Sequence, residues 1–115
     1  MSGKSGGGGA KEKDLVSKLE ELMSTMKDWE RKPIVQVGRA IIELVKLPKR
    51  ETAKRFEPER LALHIRLSDS FKGVFIVEYD ELRDIAEALS SKTVDEVAKA
   101  IDAINRKRKV IEYEL

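Results

Sequence analysis

Between Arg60 and Leu67 the side chains alternate without a break: Leu61, Leu63, Ile65 and Leu67 against Arg60, Ala62, His64 and Arg66. A period of two specifies a β-strand, because successive strand side chains point to opposite faces. A strand of this length is not stable alone, so the chain must supply neighbours. Two are legible upstream. Residues 34–37 are rich in β-branched side chains, Gly38 marks a turn or bulge, and residues 39–47 form a second extended run. In that run Ile41, Val45 and Leu47 fall on one side, and Ala40, Ile42 and Leu44 on the other. Apolar character on both sides predicts a central strand covered twice, or one that exposes an apolar face. Downstream, residues 69–73 read as a turn and residues 74–79 as a short strand with Phe75, Val77 and Tyr79 on a shared face.

The flanking segments change period. In residues 11–28 and just beyond, Leu15, Leu19, Leu22, Met26 and Trp29 recur at steps of four and three, the narrow seam of a helix, and Pro33 bars its continuation. Its default partner is its own sheet; a short two-stranded seam with a second copy is the alternative. Asp80 is positioned to cap a second helix with the stripe Leu82, Ile85, Ala86 and Leu89. Thr93 and Glu96 have capping-box spacing before a third, with Val94, Val97, Ala98, Ile101 and Ile104 inside. Residues 1–10 are Gly/Ser-rich and read as a flexible tail, leaving residues 11–115 as one domain. The expected fold is α+β: an N-terminal helix, about four antiparallel strands and two C-terminal helices.

Charge is sorted along the chain. Residues 31–66 carry ten Lys/Arg against four Asp/Glu, a net of +6, and residues 67–105 carry four against nine, a net of −5. Acidic helix caps account for several of the latter. With no cysteine there is neither a disulfide framework nor a thiolate metal site. No apolar run approaches a membrane span or a signal peptide, so the expected location is the cytoplasm. A charged fraction of 38% without cysteine is common in proteins of heat-loving organisms.

Catalysis finds little support. His64 is the one histidine, placed on the polar face of a strand as a half-exposed residue, and no nucleophile elbow or metal-spaced cluster accompanies it. No catalytic residue, metal, cofactor or small-molecule substrate is expected. Binding of a polyanion fits better. Arg60, His64 and Arg66 share one strand face. Lys46, Lys49, Arg50, Lys54 and Arg55 lie in or beside the loop of residues 48–59, and Arg39 lies on the neighbouring run. Cations so arranged neutralise phosphates, while stacking on a base needs π-faces. Phe56 adjoins the basic loop and is the first stacking candidate, with His64 and Tyr79 beside it. Phe75 is read as core, and Trp29 as packing at the end of the helical seam. Arg106, Lys107, Arg108 and Lys109 are read as cations opposing a helix dipole.

The stretch Arg31-Lys32-Pro33-Ile34-Val35-Gln36-Val37-Gly38, the Lys/Arg loop, then Val74-Phe75-Ile76-Val77-Glu78-Tyr79 and two closing helices resembles the archaeal ThermoDBP family and its related proteins. The resemblance spans residues 15–105 and rests on layout. It implies a single-stranded DNA-binding protein of a thermophilic archaeon, a helix-backed antiparallel sheet with a cleft for the strand, and a homo-oligomer, dimer or tetramer. The longer members carry an extended C-terminal zipper, and the resemblance does not extend to it. The binding residues named above come from the residues themselves. The expected function is therefore single-stranded DNA binding, with RNA as a further ligand and little sequence preference. The alternative is a protein-interaction module working through the first helix and residues 110–115.

Overall fold

Gly38 adopts φ = +57°, the left-handed conformation that glycine takes without a Cβ penalty. It turns the chain between β1 (Arg31–Val37) and β2 (Ala40–Leu47), which pair antiparallel with a register shift between Pro33 and Val35. In this computed structural model, which describes residues 3–108, β2 next pairs with β5 (Arg60–Leu67), and β5 with β6 (Gly73–Ile76). The result is a four-stranded antiparallel sheet in the order β1-β2-β5-β6. Residues 48–59, read as a loop, contain a hairpin of β3 (Arg50–Glu51) and β4 (Phe56–Glu57). The first helix, α1, spans Gly3–Thr25, and two more helices follow the sheet, α2 (Tyr79–Leu89) and α3 (Lys92–Lys107). The α+β architecture is as expected. Two compact units divide the chain, one ending at Val77 and the other starting at Glu78, and each is described by itself.

Cross-strand register sorts the sheet into two faces. One carries Ile41, Glu43, Val45 and Leu47 on β2, opposite Arg66, His64, Ala62 and Arg60 on β5. The other carries Ile42 and Leu44 opposite Ile65 and Leu63. The alternation of β5 is realised, but its consequence is reversed. Ala62 and His64, on the side read as polar, are buried, while Leu61, Leu63 and Ile65 are only half-buried and Leu67 is exposed. Val45, Leu47 and Ala62 form the apolar centre of the buried side.

α1 begins inside the segment read as a flexible tail and ends at Thr25, so Trp29 lies past it rather than in its seam. Of that seam, Met26 is buried and Leu15 is exposed. Lys46 explains how the helix end is fixed. Its ammonium donates to the carbonyls of Met23 (3.0 Å) and Met26 (2.9 Å) at the C-terminal end of the helix, the former also accepting from the Met26 amide at 3.2 Å, and pairs with Glu59 at 3.3 Å.

In the second unit the caps differ from the sequence expectation. Glu78, not Asp80, is the N-cap of α2, and its amide donates to Glu81 Oε1 at 3.0 Å. Strand β6 stops at Ile76, so Tyr79 opens α2 instead of sharing a strand face with Phe75. Ser91 precedes α3, which places Thr93 inside its first turn and removes it from the cap. Arg106 in the last turn pairs with Asp102 at 2.9 Å. Lys109 and the tail 110–115 lie outside the described residues. Among the described residues no helix is long and apolar enough to cross a membrane.

Candidate nucleic-acid interface

Glu43 on β2 faces His64 on β5, and His64 faces Phe75 on β6, each directly across the ladder. This row organises a buried ionic cluster. Arg66 Nε donates to Glu43 Oε2 at 2.8 Å, Arg31 donates to the same oxygen at 2.6 Å, and His64 Nδ1 lies 2.9 Å from it. Arg31 is also 2.8 Å from His64 Nδ1. Burial pushes the Glu43 carboxyl up, but hydrogen bonds from Arg66, His64 and Arg31 outweigh it and hold the pKa at about 2. A buried carboxylate is tolerated when its lone pairs are filled in this way. Arg66 Nη2 donates to Glu43 Oε1 at 3.4 Å, and Nη1 donates to the carbonyls of Leu67 and Ser70, both at 3.2 Å, which fastens the β5–β6 turn to the sheet.

Above the charges lies a layer of rings. Phe75 stacks on His64 with centroids 4.5 Å apart, and Trp29 meets Phe75 edge-on at 6.1 Å. The guanidiniums of Arg66 and Arg31 lie 4.8 Å and 5.5 Å from the centroid of Phe71, cation–π distances. His64 is 0% exposed, whereas Phe75 is 42%, Trp29 53% and Phe71 72% exposed. Three aromatic rings therefore present themselves to solvent on the His64 side of the sheet, Phe71 underpinned by the two arginines and Phe75 by His64.

Local chain geometry builds this platform. Gly73 sits opposite Arg66. A Cβ there would press on the carbonyl oxygen of Ile65 and come within 2.9 Å of His64 Nε2, so only glycine lets the imidazole lie flat beside β6. That nitrogen is buried with no hydrogen-bond partner. Trp29 has φ = +66°, a left-handed conformation costly for a residue with a Cβ, and its amide donates to the carbonyl of Lys46 at 2.7 Å. Strained backbone of this kind persists where surrounding structure over-determines it.

The residues expected from the sequence are dispersed. His64, taken there as half-exposed and free to touch a base, is sealed under Phe75. Arg66 joins Glu43 and is nearly covered. Lys46, taken as a phosphate contact, is buried as the α1 clamp. Arg60 shares the face of His64 but pairs with Glu57 at 3.9 Å, and its Nε is buried without a partner. Arg39 is exposed 3.8 Å from Asp69. Lys49, Arg50, Lys54, Arg55 and Phe56 are exposed on the hairpin, and Tyr79 is exposed on α2. Phe75, assigned to the core, is a surface ring. The reading missed Arg31 and Glu43, and it left Trp29 and Phe71, aromatic residues available for stacking, out of the expected site. Alternation across Phe71, Gly73 and Phe75 was the available signal, because it places both rings on the side of Arg66 and His64.

Among the described residues no cluster of His, Cys, Asp or Glu is arranged to hold a metal ion. No protein-family model, curated protein or solved structure matches this chain.

Proposed function

We propose that this chain is a binding protein, not an enzyme, and that it binds single-stranded nucleic acid, DNA first, on the face built from Trp29, Phe75 and Phe71. The observation that carries the reading is the trio of solvent-facing rings, Phe71 set over Arg31 and Arg66, Phe75 over His64, and Trp29 against the edge of Phe75. Stacked bases contribute roughly 1–3 kcal/mol each and every base has a π-face, so such a surface is sequence-tolerant. A duplex hides those faces and is excluded. Arg31, half-buried at the rim, and the exposed Lys72 beside Phe71 supply positive charge for the backbone. A cytoplasmic location accords with this role.

Fluorescence anisotropy of a labelled oligonucleotide tests the reading. Saturable binding of single strands that weakens as salt rises, and is not displaced by an equal length of duplex, is the expected result. Absence of binding at low salt, or equal competition by duplex, overturns it.

A second reading draws on the second unit. Val94, Val97, Ile101 and Ile104 recur at helical spacing on α3, and all are exposed together with Leu89 of α2. An uncovered stripe of this length favours self-association. Sedimentation equilibrium tests it: a monomer at micromolar concentration excludes it.

A further inference from the structure

Strand alternation in the β3–β4 hairpin puts Arg50, Thr52, Arg55 and Glu57 on one face, with Glu51 and Phe56 on the other. Arg50 pairs with Glu57 and Glu51 with Phe56 across the ladder. The turn is closed by the Thr52 amide donating to the Arg55 carbonyl at 2.8 Å, with the reverse bond at 3.4 Å. The four side chains line a cavity of about 110 Å³. Glu57, the single acid in the lining, is held by Arg55 at 3.2 Å on one oxygen and by Arg60 at 3.9 Å on the other. Arg50 forms no ion pair among the described residues. Arg50 and Arg55 of the lining exceed Glu57 by one positive charge, and Arg60, which reaches the same carboxylate from β5, raises the local excess on this face to two.

We propose that this face seats a phosphomonoester dianion. A monoester carries about −1.5 to −2 at neutral pH and offers three strong acceptor oxygens. That charge matches the local excess, and the oxygens match two guanidinium forks and a hydroxyl. Thr52 Oγ1 now donates to the Arg55 carbonyl at 3.3 Å, a long bond that is cheaply exchanged for a phosphate oxygen. A phosphodiester brings a single charge and two free oxygens, and leaves one cation unanswered. The seat stands independently of nucleic acid. Its use for the terminal phosphate of a strand rests on the single-strand binding proposed above.

Two measurements on the full chain test the seat. The first follows backbone amide resonances as inorganic phosphate is added at neutral pH, against chloride at matched ionic strength, in wild type and in Arg50→Gln and Thr52→Val. Saturable shifts confined to residues 50–57 and abolished by Arg50→Gln are expected, with the resonances of the sheet unchanged in the variants. No shift at the hairpin, or the same shift in Arg50→Gln, overturns the seat. The second compares one oligonucleotide with and without a terminal phosphate. The phosphorylated strand binds on the order of tenfold tighter in wild type and no tighter in Arg50→Gln. Hairpin shifts with phosphate but no binding of either strand keep the seat and remove strand binding. Hairpin shifts with equal binding of both strands keep the seat and assign it to a free phosphorylated small molecule.

Discussion

The imidazole of His64 and the ring of Phe75 stack 4.5 Å apart with 19° between their planes. One ring is wholly buried and the other faces solvent, so this pair joins the ionic interior of the sheet to its aromatic surface. The charges hold the rings at a fixed height, and the rings shield the charges from water.

Phe75→Ala removes one stacking surface and uncovers His64. Affinity for single strands falls roughly 10-fold to 100-fold, in line with the loss of one stacked base. Anisotropy titration checks this. Phe75→Tyr, which keeps the ring, restores most of the binding.

Glu43→Gln leaves Arg31, Arg66 and His64 without their shared anion and costs on the order of 3 kcal/mol at neutral pH. The pH dependence follows from the depressed pKa. Glu43 titrates near pH 2 in the folded chain against 4.5 for the ordinary carboxyl. Its contribution is therefore complete above about pH 4.5, and is lost as pH falls toward 2. Denaturant unfolding at a series of acidic pH values shows this slope in wild type and a shallower one in Glu43→Gln.

Lys46→Met removes the clamp on the Met23 and Met26 carbonyls. Stability drops by about 1–3 kcal/mol, and amide exchange in the last turn of α1 accelerates. Affinity for a single strand stays at the wild-type level, because the ammonium is enclosed and contacts no ligand. A parallel loss of affinity instead returns Lys46 to the binding surface.

The sequence carried the strands because alternation and turn glycines are local signals. Arg60–Leu67 is bounded as its pattern indicates, and Gly38 turns the chain where expected. The inside of the sheet was not legible in the same way. Polar residues were assigned to solvent, yet Glu43, His64 and Arg66 satisfy one another across the β2–β5 ladder, with Glu43 and His64 buried and Arg66 nearly covered. That compensation depends on cross-strand register, which no single segment encodes. Phe75 was misplaced for the same reason, since its exposure follows from what lies beneath it. Both helix caps lie two residues before the expected ones, within the usual range of competing capping residues near an end.

Gly73→Ala introduces a methyl group against the Ile65 carbonyl and the His64 ring. The backbone oxygen has nowhere to move within a paired strand, so the substitution costs about 1–3 kcal/mol. Thermal unfolding reads the loss. His64→Ala in the same background frees the ring's space but not the carbonyl, and recovers only part of it.

Trp29 is the sole tryptophan of the chain and stands at the edge of the proposed platform, so it reports directly on the central claim. Its fluorescence is followed while unlabelled single-stranded DNA is added at low salt. The account predicts saturable quenching that Phe75→Ala shifts to higher DNA concentration. Saturable binding by anisotropy with unchanged Trp29 emission would contradict it, because the strand would then lie elsewhere on the molecule.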